Sequence, residues 1–275
     1  MKEAYLEVIP TSTIVDRLVH IPQHSYLSIT CSPVRGIGPT LDMVDELRAL
    51  PEERRLKLVP HIAARVVRDK GHLREILARL HEAEVESVFV PGGDAAQPAG
   101  AYDCSLDLLR DMAEVGHSIA DVGVAAHPEG HPMVGEEELL RLLQEKQAFA
   151  TYLVTQMCFD PDVLVNWLRG IRRAGVMLPA WLGLPGVADI PKLIALSLRI
   201  GVGQSVRVLK KQKGLVRKII AAKPYQPDDL LAGLQAHLHE TDLNIPGFHL
   251  FCFNNVERTE RWRVETLQRL EGESA

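Results

Sequence analysis

A single-domain (β/α)8 barrel is the fold this sequence predicts, on three observations. Eight short runs of β-branched and aliphatic residues punctuate the chain, segments of helical period separate them, and 275 residues is the length eight such units need. Strand-length apolar runs alternating with helices mean parallel strands covered on both faces.

The first run, Tyr5–Ile9, alternates a charged Glu7 with apolar neighbours and begins close to the N-terminus. Tyr26–Cys31 is the second, followed by a helical period over Thr40–Leu50. Leu58–Ile62 leads into Gly71–Glu84, Ser87–Pro91 into Asp103–Val115, and Asp121–Ala126 into Gly135–Ala148. Tyr152–Gln156 precedes Pro161–Ala174, and Met177–Leu182 is the seventh run. The stretch from Ile190 to Glu240 exceeds one crossover helix. It predicts two or three, with breaks at Gly201–Gly203 and Lys223–Pro227, and with Asp228 and Asp229 in an acidic first turn. Gly201–Ser205 does not directly follow a strand, so it reads as a helix–helix connection rather than a phosphate loop. Gly247–Phe253 is the eighth run. A polar helical tail then spans Thr259–Leu270, and Glu271–Ala275 is expected to fray.

Residues 1–275 thus read as one barrel, with extra helices at about 190–240 and a C-terminal tail. Hydrophobic residues make up 46% and charged residues 24%, as in a chain with a large core. Lys and Arg number 31 against 36 Asp and Glu, and a net charge of −5 implies no general attraction to nucleic acid or membrane. Ser205–Lys223 departs locally, with seven cations and no acid. It is either the solvated face of a helix or a landing site for an anionic tail or phosphate. Four scattered cysteines form no C-x-x-C pair, which suits a reducing compartment. The first strand begins too early for a signal peptide, and no apolar stretch reaches the roughly 18–20 residues of a membrane span. A cytoplasmic protein is expected, and a homo-oligomer is compatible with it.

A barrel of this kind carries its site at the C-terminal ends of the strands, where Glu7, Thr30, His61, Asp94, His127 and Gln156 fall. The alternation of Tyr5-Leu6-Glu7-Val8-Ile9 points Glu7 into the barrel. A buried carboxyl is costly unless hydrogen-bonded or used, and desolvation favours the neutral form a proton donor needs. A structural ion pair at the mouth is the other reading. Pro91-Gly92-Gly93-Asp94 lets backbone N–H groups approach a ligand and projects Asp94 into the mouth, or it is only a tight turn. His127-Pro128-Glu129-Gly130-His131-Pro132 could supply metal ligands, a polar ligand-binding loop or a structural loop. Gln156 carries an amide suited to an amide-like heterocycle. Thr30 and His61 are equally compatible with structural and functional roles. His249 falls on the opposite face from Phe248 and reads as a satisfied barrel histidine.

Taken in order, these strand ends resemble the methylenetetrahydrofolate reductase family. Leu6-Glu7-Val8-Ile9-Pro10 resembles its first-strand Glu followed by Pro, and Ser28-Ile29-Thr30 its Ser-Val-Thr. Pro60-His61-Ile62 is similar to Pro-His-Leu and Gly93-Asp94 to Arg-Gly-Asp. Ala125 to Pro132 resembles Ala-Ala-Tyr-Pro-Glu-x-His-Pro, Val154 to Asp160 resembles Ile-Thr-Gln-x-x-Phe-Asp, and Gly247-Phe248-His249-Leu250 its last strand. The resemblance runs from Glu7 to about Asn254. It implies a barrel that reduces 5,10-methylenetetrahydrofolate to 5-methyltetrahydrofolate, with FAD relaying a hydride from NADH or NADPH. Carried over, Glu7 is the general acid, Asp94 lies near the pterin and flavin rings, and Gln156 bonds the pterin. Thr30, His61, Gly93, Tyr102, His127 and His131 then line the cofactor site. Lys146 joins them only if one residue is deleted before Thr155. Gly92 stands where the family has Arg, His127 where it has Tyr, and Cys31 where it has Tyr. These departures fall on positions that serve the flavin more than the folate, and they predict absent or substoichiometric flavin. Two other classes fit the residues: a folate-binding or methyl-transfer barrel without redox chemistry, and a metal-dependent hydrolase or lyase using His127, Glu129 and His131.

Overall fold

A computed structural model describes residues 4–199 and 223–272. The basic segment Ser205–Lys223 and the Gly201–Ser205 connection lie outside the described residues, apart from Lys223. The strands are β1 (Ala4–Val8), β2 (Tyr26–Ile29), β3 (Lys57–Pro60), β4 (Ser87–Val90), β5 (Asp121–Ala126), β6 (Tyr152–Thr155), β7 (Ala180–Pro185) and β8 (Phe248–Phe251). Between them lie α1 (Ile14–Arg17), α2 (Gly38–Arg48), α3 (Lys70–Glu82), α4 (Ser105–Val115), α5 (Glu136–Lys146), α6 (Pro161–Arg173), α7 (Ile190–Arg199) and α8 (Asp228–Leu234). Helix α9 (Val256–Gly272) ends the described chain. All strand pairings are parallel, in the order β3-β2-β1-β8-β7-β6-β5-β4. The ring closes between β3 and β4 through one parallel bridge, His61 with Phe89, where Ile62 N–H donates to the Phe89 carbonyl at 2.8 Å. This is the predicted (β/α)8 barrel.

The period-2 alternation of each strand sorts its side chains into two cores. On β1, Ala4, Leu6 and Val8 face outward into the large apolar layer beneath the helices, while Tyr5 faces inward. The inner core is aromatic: Tyr5 meets Trp181 edge-on at 4.5 Å, Tyr26 at 4.6 Å and Tyr152 at 5.8 Å. Each such pair is worth about 0.5–1.5 kcal/mol beyond its buried area. Together the rings plug the barrel and form the floor beneath the strand ends.

Helix termini follow local chemistry. Asp160, part of the sixth-strand motif, is the N-cap of α6 and accepts from the N–H groups of Asp162 and Val163, with Pro161 at the first helical position. Asp69 caps α3 in the same way through His72 N–H at 2.8 Å. The predicted break at Lys223–Pro227 contains Tyr225, which bridges antiparallel to Ala188. Tyr225 packs with Met157, Phe159, Ile190 and Leu193 in a separate cluster beside the end of β6.

The seventh strand differs most from expectation. It starts three residues later than Met177–Leu182, at Ala180, and runs through Gly183 to Pro185. Met177 is 58% exposed, and Pro179 offers no N–H, so Val176–Pro179 forms the approach to the strand. The C-terminal helix starts at Val256, three residues before the predicted tail. It buries Val256, Thr259, Trp262 and an Arg263–Glu260 ion pair with two contacts of 2.7 Å.

Candidate active site

Glu7 stands one inward position beyond Tyr5, toward the C-terminal end of β1, with its side chain 15% exposed. The register places Ser28 and Phe251 beside it on the two neighbouring strands. Barrel closure makes β8 a neighbour of β1, and His249 Nε2 comes within 3.0 Å of Glu7 Oε2. His61 follows β3, with its Nε2 at 3.9 Å from the same oxygen and 2.7 Å from Ser28 Oγ. Glu7, His249, His61 and Ser28 therefore converge from four adjacent strands or strand ends, above the aromatic floor. Burial pushes His61 down to about 4; the nearby Glu7 acts against that and His249 adds to it. At pH 7 His61 is a neutral imidazole that hydrogen-bonds without carrying charge.

Gln156 extends β6 into the mouth. Its N–H donates to the Ala126 carbonyl at 2.7 Å and its Oε1 accepts from Met157 N–H at 2.8 Å. That contact fixes the amide and leaves both side-chain N–H donors without a partner among the described residues. Thr155 Oγ1 accepts from Gly183 N–H at 2.8 Å, tying the end of β6 to β7. Thr30 is half-buried at the end of β2, and its carbonyl accepts from Thr40 Oγ1. Asp94 is exposed on the loop after β4. Gly93 adopts φ +93°, and a Cβ there would meet the Ala63 Cβ at 3.0 Å, so the glycine lets the two loops touch.

The loop after β5 brings His127 and His131 together edge-on at 5.1 Å. His131 Nδ1 accepts from Met133 N–H, which leaves the proton of its neutral ring on Nε2. Burial holds His127 down at about 4, with His131 and Lys146 adding to the effect, and burial also lowers Lys146. Lys146, at the end of α5, is therefore electrostatically close to this loop. Among the described residues no group of three or more His, Cys, Asp or Glu side chains is placed to hold a metal ion, and His127, Glu129 and His131 form no such triad.

Tyr102 is buried in the apolar layer between sheet and helices, and its hydroxyl donates to Asp111 Oδ2 on α4 at 2.8 Å. Arg65, which the sequence did not single out, reaches the loop after β4. Its guanidinium donates to the carbonyls of Ala95, Ala96 and Asp103 at 2.7, 3.0 and 3.2 Å. Arg65 thus stands near the position of the missing arginine, but the loop itself consumes its donors. Space is open at Gly92, where an added Cβ would meet nothing within 4 Å. A flavin dinucleotide needs cations and free donors for its diphosphate. With Gly92 bare, Arg65 committed and the Tyr102 hydroxyl on Asp111, the loop after β4 offers no free cation for such a diphosphate among the described residues.

Sequence and structure comparisons bear on the same barrel. The family model for methylenetetrahydrofolate reductase matches residues 13–261. Methylenetetrahydrofolate reductase 2 of Saccharomyces cerevisiae is 31% identical over 142 residues, 47% of this chain and 23% of that protein. Methylenetetrahydrofolate reductase 2 of Schizosaccharomyces pombe is 22% identical over 223 residues, 70% of this chain and 33% of that protein. Methylenetetrahydrofolate reductase (NADH) 1 of Arabidopsis thaliana is 28% identical over 105 residues, 34% of this chain and 17% of that protein. The matched stretches are thus a third or less of these relatives' own lengths. Among solved structures, the apo form of a chain provisionally named a deoxyribose-phosphate aldolase, from Toxoplasma gondii ME49, superposes with a TM-score of 0.51 at 9% identity. It covers 96% of this chain and 94% of that one, a likeness of fold alone.

Proposed function

Since the chain belongs to the methylenetetrahydrofolate reductase family, we propose that it reduces 5,10-methylenetetrahydrofolate to 5-methyltetrahydrofolate, taking the hydride directly from a nicotinamide. The observation that carries this reading is the inward carboxyl of Glu7, held at the strand ends by His249 with His61 close by. Reduction needs an acid at this place. Glu7 gives a proton to the nitrogen that closes the methylene bridge, and the carbon–nitrogen bond breaks with its electron pair remaining on that nitrogen. The lone pair of the second nitrogen closes to a C=N iminium. Hydride then adds to the iminium carbon to give the methyl group, and the nicotinamide leaves oxidised.

Other residues orient the partners. The free amide N–H groups of Gln156 meet acceptors of the pterin ring, and Asp94, exposed on the loop after β4, accepts from its donors. The aromatic floor excludes water from below, which strengthens each polar contact at the reacting centre. NADH and NADPH are both candidate donors; the name of the Arabidopsis relative carries the former. Direct transfer is the reading favoured by Gly92, which leaves the loop after β4 without a cation for a flavin diphosphate.

Anaerobic mixing of the purified protein with methylenetetrahydrofolate and NADH or NADPH, followed at the nicotinamide absorbance, tests the activity. Stoichiometric loss of reduced nicotinamide with formation of 5-methyltetrahydrofolate is expected. Folate binding without nicotinamide oxidation would leave a carrier or methyl-transfer protein instead.

A further inference from the structure

The two ring nitrogens of His249 have different surroundings. Nε2 faces Glu7 Oε2 at 3.0 Å, whereas Nδ1 is buried without a hydrogen-bond partner. The side chain is 2% exposed. Around the ring lie Tyr5, Phe89 and Phe251, with centroids at 6.0, 6.3 and 5.1 Å, and Gly183 stands opposite on β7. A neutral imidazole has one N–H. On Nδ1 that hydrogen would be buried with no acceptor, while on Nε2 it meets a carboxyl oxygen, so the network assigns the Nε2–H tautomer. Glu7 Oε1, in contrast, has no partner among the described residues.

We infer that His249 is the positioning residue of Glu7, its Nε2–H fixing Oε2 as the accepting oxygen and leaving Oε1 to carry and deliver the proton. This rests on the reading of Glu7 as the proton donor. The bound proton cannot sit on Oε2, where it would oppose the imidazole N–H. It sits on Oε1, passes to the bridging nitrogen as the carbon–nitrogen bond breaks, and the resulting carboxylate keeps its bond from His249. Water entering the mouth then returns a proton to Oε1.

The other titratable groups facing this pair leave the task to His249. His61 is pushed down to about 4 by burial, and its Nε2 is engaged with Ser28 Oγ. Burial pushes the Tyr5 hydroxyl and the Cys252 thiol far up, so both stay protonated across the working range.

The test compares His249→Phe, His249→Gln and Glu7→Gln in the methylenetetrahydrofolate assay across pH. Phe keeps the ring in its apolar surroundings but has no donor; Gln presents an amide N–H near the position of Nε2. His249→Phe should lower kcat by roughly tenfold to a hundredfold, with KM for the folate changed only a few-fold, because the proton is no longer aimed. The alkaline limb of its kcat–pH profile should move to higher pH, since a bond favouring the carboxylate is lost. His249→Gln should restore the limb. A His249→Phe enzyme with wild-type kcat and limb, beside an inactive Glu7→Gln, would overturn the positioning role and spare the donor reading. An active Glu7→Gln would overturn both. Nitrogen-15 spectra of histidine-labelled wild-type protein give a readout that needs no turnover. His249 should show an N–H-type Nε2 and an unprotonated Nδ1, and the reverse tautomer would overturn the inference even if His249→Phe fails to fold.

Discussion

Glu7 concentrates the chemistry at the scale of single residues, and its removal separates binding from turnover. Glu7→Gln keeps an acceptor for His249 but has no transferable proton; turnover should fall by roughly 10²–10⁴-fold with folate affinity within a few-fold, measured by steady-state kinetics and equilibrium binding. Near-normal turnover would make Glu7 a structural residue. His61 gives a second expectation, in stability. Its folded value of about 4 lies below the ordinary 6.5, so between these pH values the unfolded chain binds a proton that the folded chain does not. Stability is therefore fully present above pH 6.5 and lost as pH falls toward 4, by about 3 kcal/mol for a shift of this size. His61→Gln should flatten the fall of the denaturation midpoint between pH 7 and pH 4; an unchanged slope would contradict the assignment. His127 acts with the same sign, so the difference between the two proteins is the quantity to read. Glu7 was legible in the sequence because a charge set between the apolar Leu6 and Val8 of a strand-length run stands out. Its bond to His249 was not, because the two residues are 242 positions apart and meet only when β8 closes on β1. Both being inward residues of the first and last strands was the available signal. Tyr102 entered only through the family resemblance, and its bond to Asp111 depends on how the loop after β4 packs on α4, which the sequence does not show.

Among the elements, the junction of β6 and β7 links packing to the site. The ladder between them holds only the pairs Leu153 with Ala180 and Val154 with Trp181, after which Thr155 Oγ1 takes the Gly183 N–H. A Cβ at Gly183 would lie 2.2 Å from the Thr155 carbonyl oxygen and 3.1 Å from the Gln156 carbonyl carbon. Backbone cannot yield as a side-chain tip can. Gly183→Ala should lower stability by about 1–3 kcal/mol, seen in denaturant unfolding, and weaken folate binding by displacing Gln156. Wild-type stability and affinity would show that β6 does not depend on this close approach. The apolar run Met177–Leu182 starts three residues before β7 and ends three before it stops, because Met177 is exposed and the strand continues through Gly183, Leu184 and Pro185. Period and length sufficed for the remaining strands because their apolar runs are bounded by turns, and Gly123 inside β5, where an added Cβ would meet the Tyr152 ring at 2.3 Å, leaves the run of Val122, Val124, Ala125 and Ala126 intact.

For the whole molecule, eight parallel strands and an aromatic plug leave one end for chemistry, and the open question there is the path of the hydride. Gly92→Arg would restore a cation where a Cβ meets nothing, and a charge-assisted hydrogen bond is worth about 1.5–3 kcal/mol. The wild-type protein should purify with little or no yellow flavin, and Gly92→Arg should retain more, read from the visible spectrum. One tightly held flavin per wild-type chain would mean that other contacts replace the missing arginine. The closing of the ring, and with it the location of the mouth, was readable from eight runs in order. The commitment of Arg65 to the loop after β4 was not, since it depends on where one loop folds against another. The most direct test of direct reduction uses flavin-free protein, methylenetetrahydrofolate and nicotinamide carrying deuterium at the transferred position, mixed anaerobically. Direct transfer predicts one nicotinamide oxidised per methyl group formed, with the deuterium retained in that methyl. Turnover that appears only after flavin is added, or deuterium washed out to solvent, would contradict it.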